Sequence, residues 1–125
     1  IGAPLDVYGN PLTAFVAGLI GSPPTNFIAP AIAGMNLAEG ASVGVRPEHM
    51  SICPAGTGRI DGHIQYAEPL GAETLVHLRL ADDQTVTVRQ DGSQPIPGEG
   101  QEAGISWDES DQMIFGADGR RIASD

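Results

Sequence analysis

Two adjacent prolines set the layout of this chain. Ser22-Pro23-Pro24 ends any helix that reaches it, because proline has no amide hydrogen to donate and pushes its predecessor into extended geometry. The apolar spacing differs on the two sides of that break. Ahead of it, Asn10 reads as an N-cap and Pro11 as a first helical residue, and Leu12, Phe15, Val16, Leu19 and Ile20 recur at helical intervals. This predicts one amphipathic helix closed by Gly21, with a helical turn over Pro4 to Tyr8 before it.

After the break the period drops to two. Strands are expected near Phe27 to Ile28, Val43 to Arg46, Ser51 to Cys53, Arg59 to Ala67, Thr74 to Leu80, Thr85 to Gln90, Glu102 to Trp107 and Met113 to Phe115. Gly, Pro and Asp punctuate them, with turns at 81–84 and 117–120 and a proline-rich loop at 95–100. Many short, closely spaced strands specify a mainly β fold, a small antiparallel barrel or sandwich. The 125 residues suit one domain.

One strand pair can be registered from side-chain patterning. Ile60, Gly62, Ile64 and Tyr66 share one face, and Thr74, Val76, Leu78 and Leu80 share another. Setting Tyr66 opposite Thr74 joins these faces, and it places Asp61 across from Arg79 and His63 across from His77.

Charge removes several function classes. The net charge is −10, and all six cations are arginine. With no basic footprint, a nucleic-acid partner is not expected, since phosphate neutralisation supplies most of that affinity. A phosphate-binding loop needs a lysine, and none is present. Cys53 is the single cysteine, so an internal disulfide and a cysteine-based zinc site are both excluded. The longest apolar run, Phe15 to Ile20, is far short of the ~20 residues that span a bilayer.

Candidate chemistry is sparse. His63 and His77 with Asp61 form half of a metal site in the expected register, without a third ligand at a recognisable spacing. Asp108, Glu109 and Asp111 lack the basic partner or nucleophile that acid-base work requires, and read as a solvated face. The run Arg46-Pro47-Glu48-His49 is read as a strand end: Val43 and Val45 bury one face, and Pro47 turns the chain. No catalytic, cofactor-binding or metal residues are assigned.

Taken together, PLDVYGNPLTAFVAGLIGSPPTNF (residues 4–27), VGVRPEHM (43–50), GHIQYAEPLGAETLVHLRL (62–80) and GRRI (119–122) resemble one family. It is the C-terminal regulatory segment of the ATP-binding subunits of carbohydrate-uptake ABC transporters, of the maltose and glycerol-3-phosphate importer type. The resemblance implies a transport-associated (TOBE) domain, an OB-type, MOP-like barrel over residues 27–125. Residues 1–26 would be a helical connector from an ATPase domain upstream, where ATP and magnesium would bind; a start at Ile1 rather than Met fits a piece of a longer protein. The segment 28–42 is shorter than in the maltose type, which carries additional strands there.

Carried over position by position, Arg46, Glu48 and His49 with Pro47 match the family's signature strand end. Gly71 and Glu73, in Gly71-Ala72-Glu73-Thr74, match its turn between barrel strands, and Gly44, Gly62, Glu68 and Gly104 fall where its regulatory surface would lie. The expected role is regulation and dimerisation of an importer ATPase. Its partners would be a second copy, the upstream ATPase domain, membrane permease subunits and a cytoplasmic regulatory protein, at the inner face of the cell membrane. The alternative is a barrel that binds a small oxyanion or sugar. The transported solute is not encoded here.

Overall fold

The computed structural model describes residues 25–122. The amphipathic helix expected over residues 11–20 and the connector ahead of Thr25 lie outside the described residues. Nine strands follow the alternating pattern: β1 (Asn26–Ile28), β2 (Ser42–Val45), β3 (Ser51–Cys53), β4 (Ile60–Pro69), β5 (Glu73–Arg79), β6 (Thr85–Asp91), β7 (Glu102–Ser106), β8 (Met113–Phe115) and β9 (Arg121–Ile122). One short helix, α1 (Pro30–Ala33), links β1 to β2; Pro30 opens it and Gly34, at φ 74°, closes it.

The strands form two antiparallel sheets, ordered β1-β2-β8-β9 and β3-β7-β4-β5-β6. The first two and last two strands in sequence make up the smaller sheet, with β1 and β9 as its outer strands. Alternate residues of both sheets meet in one core. Ile28, Val43, Val45, Val76, Leu78, Val86, Val88 and Ile105 are wholly buried in it, joined by Ile60, Ile64, Trp107 and Ile114. Burying side chains of this size contributes roughly 1.5–3 kcal/mol each, which is the main term holding the small barrel together. A second apolar cluster sits at one end, where Phe27 and Phe115 meet edge to face at 5.8 Å.

The β4–β5 register differs from the expected one. His63 stands opposite Arg79 and Ile64 opposite Leu78, but Tyr66 is opposite His77 and Pro69 opposite Thr74. Gln65 is an extra residue in β4, a bulge, so Gln65 and Tyr66 both point outward. The expected Asp61–Arg79 and His63–His77 pairs are therefore absent; Asp61 lies across from Gly104 and accepts a hydrogen bond from the Gly56 amide.

The bulge has a structural cause. Strand β4 pairs with β7 only through His63, and Ile64 then exchanges backbone bonds with Gly100 and Gln101 in the loop before β7. Beyond that point β4 has only β5 beside it, and the extra residue falls where the three-stranded pairing ends. The hairpin is longer than expected as well. Strand β4 runs on to Pro69 rather than ending at Ala67, Glu73 already belongs to β5 one residue ahead of the expected Thr74, and the turn is 70–72 with Gly71 at φ 90°.

Candidate functional site

The exit of β2 is built by its own residues. Val43 and Val45 anchor the strand in the core, and Arg46, held extended as the residue before a proline, leads into a single 3-10 turn, Pro47–His49. Pro47 is buried at the first position, where its missing amide hydrogen costs nothing. The turn closes through bonds from the His49 and Met50 amides to the Arg46 and Pro47 carbonyls. It packs on β6.

That contact brings Glu48 to Arg89 of β6, and the pairing of β5 with β6 brings Glu73 to the same cation. Arg89 Nε is 3.1 Å from Glu73 Oε2, and Nη1 is 4.0 Å from Glu48 Oε1. One guanidinium thus ties the turn after β2 to the start of β5. Sequence reading found both carboxylates and missed the arginine, because nothing local in Thr87-Val88-Arg89 distinguishes a clamp from a solvated strand residue. On the other side of the turn His49 Nδ1 lies 3.8 Å from Asp111 Oδ1, in the 3-10 turn Glu109–Asp111.

A second group occupies the outer face of β4, β5 and β6. The bulge at Gln65 lays the Tyr66 ring on the His77 imidazole, centroids 4.4 Å apart and nearly parallel. His77 Nε2 is 2.7 Å from Glu68 Oε1, and Nδ1 is 2.9 Å from the Thr87 hydroxyl. Hydroxyl, imidazole and carboxylate in that order match the components of a hydrolytic triad. The amide of Thr87, however, is already bonded to Asn26 and cannot serve as a donor to an oxyanion there.

The remaining sequence candidates are separated. Gly44, Gly62 and Gly104 lie on β2, β4 and β7, and all three are buried. At Gly104 the requirement for glycine is direct: an added Cβ would stand 2.7 Å from the Pro54 carbonyl oxygen and 2.9 Å from Cys53 Sγ, so the backbone that approaches is the chain's own loop. Among the described residues no group of three His, Cys, Asp or Glu side chains is gathered in a way that could hold a metal ion. None of their helices is long and apolar enough to cross a membrane.

The arrangement is one of ion pairs, stacked rings and packed glycines that fix loops to a barrel. Comparison with known proteins gives this barrel a place. The chain is 37% identical over 109 residues to the sn-glycerol-3-phosphate import ATP-binding protein UgpC of Cereibacter sphaeroides, covering 77% of this chain and 31% of that protein. It is 30% identical over 152 residues to the lactose transport ATP-binding protein LacK of Rhizobium radiobacter, covering 98% of this chain and 41% of that protein. It is 36% identical over 106 residues to the maltose/maltodextrin import ATP-binding protein MalK of Aliivibrio fischeri, covering 66% and 29%. The chain thus spans about a third of the length of these relatives. The profile of the TOBE domain matches residues 43–115, from the first core valine of β2 to the last residue of β8, and the chain belongs to the TOBE domain family.

Proposed function

We propose that this chain is the regulatory and dimerisation region of the ATP-binding subunit of an ABC importer for sugars or related solutes. One observation supports the reading: relatives named for three different cargoes, glycerol-3-phosphate, lactose and maltose, are all ATP-binding proteins of import or transport, and each matches 66% or more of this chain. A region shared across cargoes does not choose the cargo. It fits a part that acts on the common step, the closing of two ATP-binding domains.

The barrel would perform no chemistry of its own. ATP and magnesium would be handled by a separate ATPase domain, and the membrane would be crossed by permease subunits, with the barrel on the cytoplasmic side. Regulation would follow linkage: a second copy of the barrel, or a cytoplasmic protein docked on it, shifts closure only by the difference in its affinity for the open and closed arrangements.

The test is deletion of residues 43–115 from the full-length subunit, assembled with its permease. ATP hydrolysis at saturating subunit concentration should persist, while the subunit dimer dissociates at least about tenfold more readily, a loss of roughly 1.4 kcal/mol. A deletion that leaves both dimer affinity and the control of transport unchanged overturns the proposal.

A further inference from the structure

A line of hydrogen bonds crosses the barrel from β1 to the open face of the β4–β5 hairpin. It begins at Asn26, which is buried and whose side-chain amide pairs with the backbone of β6: Nδ2 donates to the Thr87 carbonyl and Oδ1 accepts from the Thr87 amide, both at 2.8 Å. The carboxamide stands where a neighbouring strand would pair, and so it fastens an edge strand of the smaller sheet to an edge strand of the larger one. The same residue, Thr87, bonds His77 through its hydroxyl, and His77 bonds Glu68.

With Glu68 ionised and His77 neutral, the direction of these bonds follows. An ionised carboxylate only accepts, so the proton at that contact is on His77 Nε2. In a neutral imidazole the other nitrogen must then accept, and the Thr87 hydroxyl donates to it. Each bond polarises the next, and the side chain of Thr87 is held in one rotamer by a partner on β5 while its main chain is held by Asn26. The two ends of the line differ in exposure. The Asn26 end is buried, whereas Glu68 and the covering ring of Tyr66 are each about half exposed, at 47%.

The geometry points to a coupling device: the line Asn26–Thr87–His77–Glu68 makes the seating of β1, the strand that follows residues 1–24, depend on the state of the Glu68 carboxylate on the outer face. A cationic group that draws Glu68 away leaves the imidazole without its acceptor. The Thr87 hydroxyl then loses its fixed partner, and the anchor of Asn26 on β6 loosens. The inference concerns the barrel itself and does not rest on the transporter reading.

It is tested on the full chain by NMR, in the wild type and in Glu68→Ala, Thr87→Val and the double variant. Glu68 is exposed and its removal disturbs no core packing, so Glu68→Ala remains folded. In the wild-type background Glu68→Ala should speed hydrogen exchange of the residue 87 amide, and of the Asn26 side-chain amide, by at least about twofold. In the Thr87→Val background, which keeps the amide but lacks the hydroxyl, the same change should have no effect, and Thr87→Ser should restore it. His77 nitrogen shifts should report the Nε2–H tautomer in the wild type and a mixture in Glu68→Ala. An exchange rate at residue 87 that ignores Glu68, or a response that survives in Thr87→Val, overturns the inference.

Discussion

Two strand exits in this barrel, that of β2 and that of β4, start from the same alternating pattern and end differently. After β2 the chain is held by constraints written into adjacent residues: Pro47 fixes the turn, Val43 and Val45 fix the strand, and only the Arg89 clamp comes from a distance. Along β4 the alternation breaks at Gln65, and the cause lies outside the strand, in the loss of β7 as a neighbour. A turn set by covalent geometry is readable in a short stretch of sequence. A bulge set by where a partner strand stops is not.

The largest effect should come at the seam beside the first exit. Asn26→Ala removes two bonds to the backbone of β6 and leaves the Thr87 amide and carbonyl to find other partners, at a cost of about 2–3 kcal/mol in urea unfolding. A loss below about 0.5 kcal/mol would mean that the core alone holds the two sheets together.

The Arg89 clamp should matter less. Its three side chains remain between 28% and 40% exposed, so Arg89→Met should cost about 1 kcal/mol, and the cost should shrink at high salt. A salt-independent loss would assign the effect to packing of the arginine stem rather than to the ion pairs.

Deleting Gln65 sharpens the comparison from the other side. Without it, Ile64, Tyr66 and Ala67 alternate in, out, in, and the pairs Ile64 with Leu78 and Tyr66 with His77 become consecutive. The shortened chain should lose less than about 1 kcal/mol and keep its Tyr66–His77 ring contacts in NOE spectra. Loss of those contacts would show that the extra residue itself, and not the surrounding strands, positions Tyr66.

The smallest effect is expected at the end of β6. The Asp91 carboxyl sits below its ordinary value of 3.8 because the Ser93 amide and hydroxyl donate to it. A folded-state value below the unfolded one means that this group favours the fold above the ordinary carboxylate range, and that the contribution disappears as pH falls through the lowered value. In a carboxyl titration followed by NMR, Ser93→Ala should move Asp91 only part of the way back up, because the backbone bond remains; no movement would remove the hydroxyl from the account.

Much of the fold was legible because its punctuation is chemical. Eight of the nine strands fall where alternation between Gly, Pro and Asp turns placed them, and Thr74, Val76, Leu78 and Leu80 are buried together as their spacing required. Strand β9 and helix α1, with two and four residues, are too short to carry a period. The β4–β5 register failed on Tyr66, whose side chain suits either face of a sheet, so that patterning could not reveal the extra residue before it. At the candidate site, Glu48 and Glu73 were recognised separately and Arg89 was not, since their meeting depends on how β6 lies beside both. Asn26 stood in the sequence only within the run 4–27 that resembles the family, with no role of its own. Its role appears only when two sheets are placed side by side.

The strand order also has a mechanical consequence. The described chain comes in along β1 and leaves along β9, the two outer strands of the same four-stranded sheet, while β3 to β7 make up the whole of the other sheet. Tension applied at Thr25 and Ile122 therefore falls on the margins of the small sheet, on three-residue and two-residue ladders and on the Asn26 bonds to β6. The five-stranded sheet hangs between the two ends as a loop does. A pull too weak to disturb it could still strip the margins away.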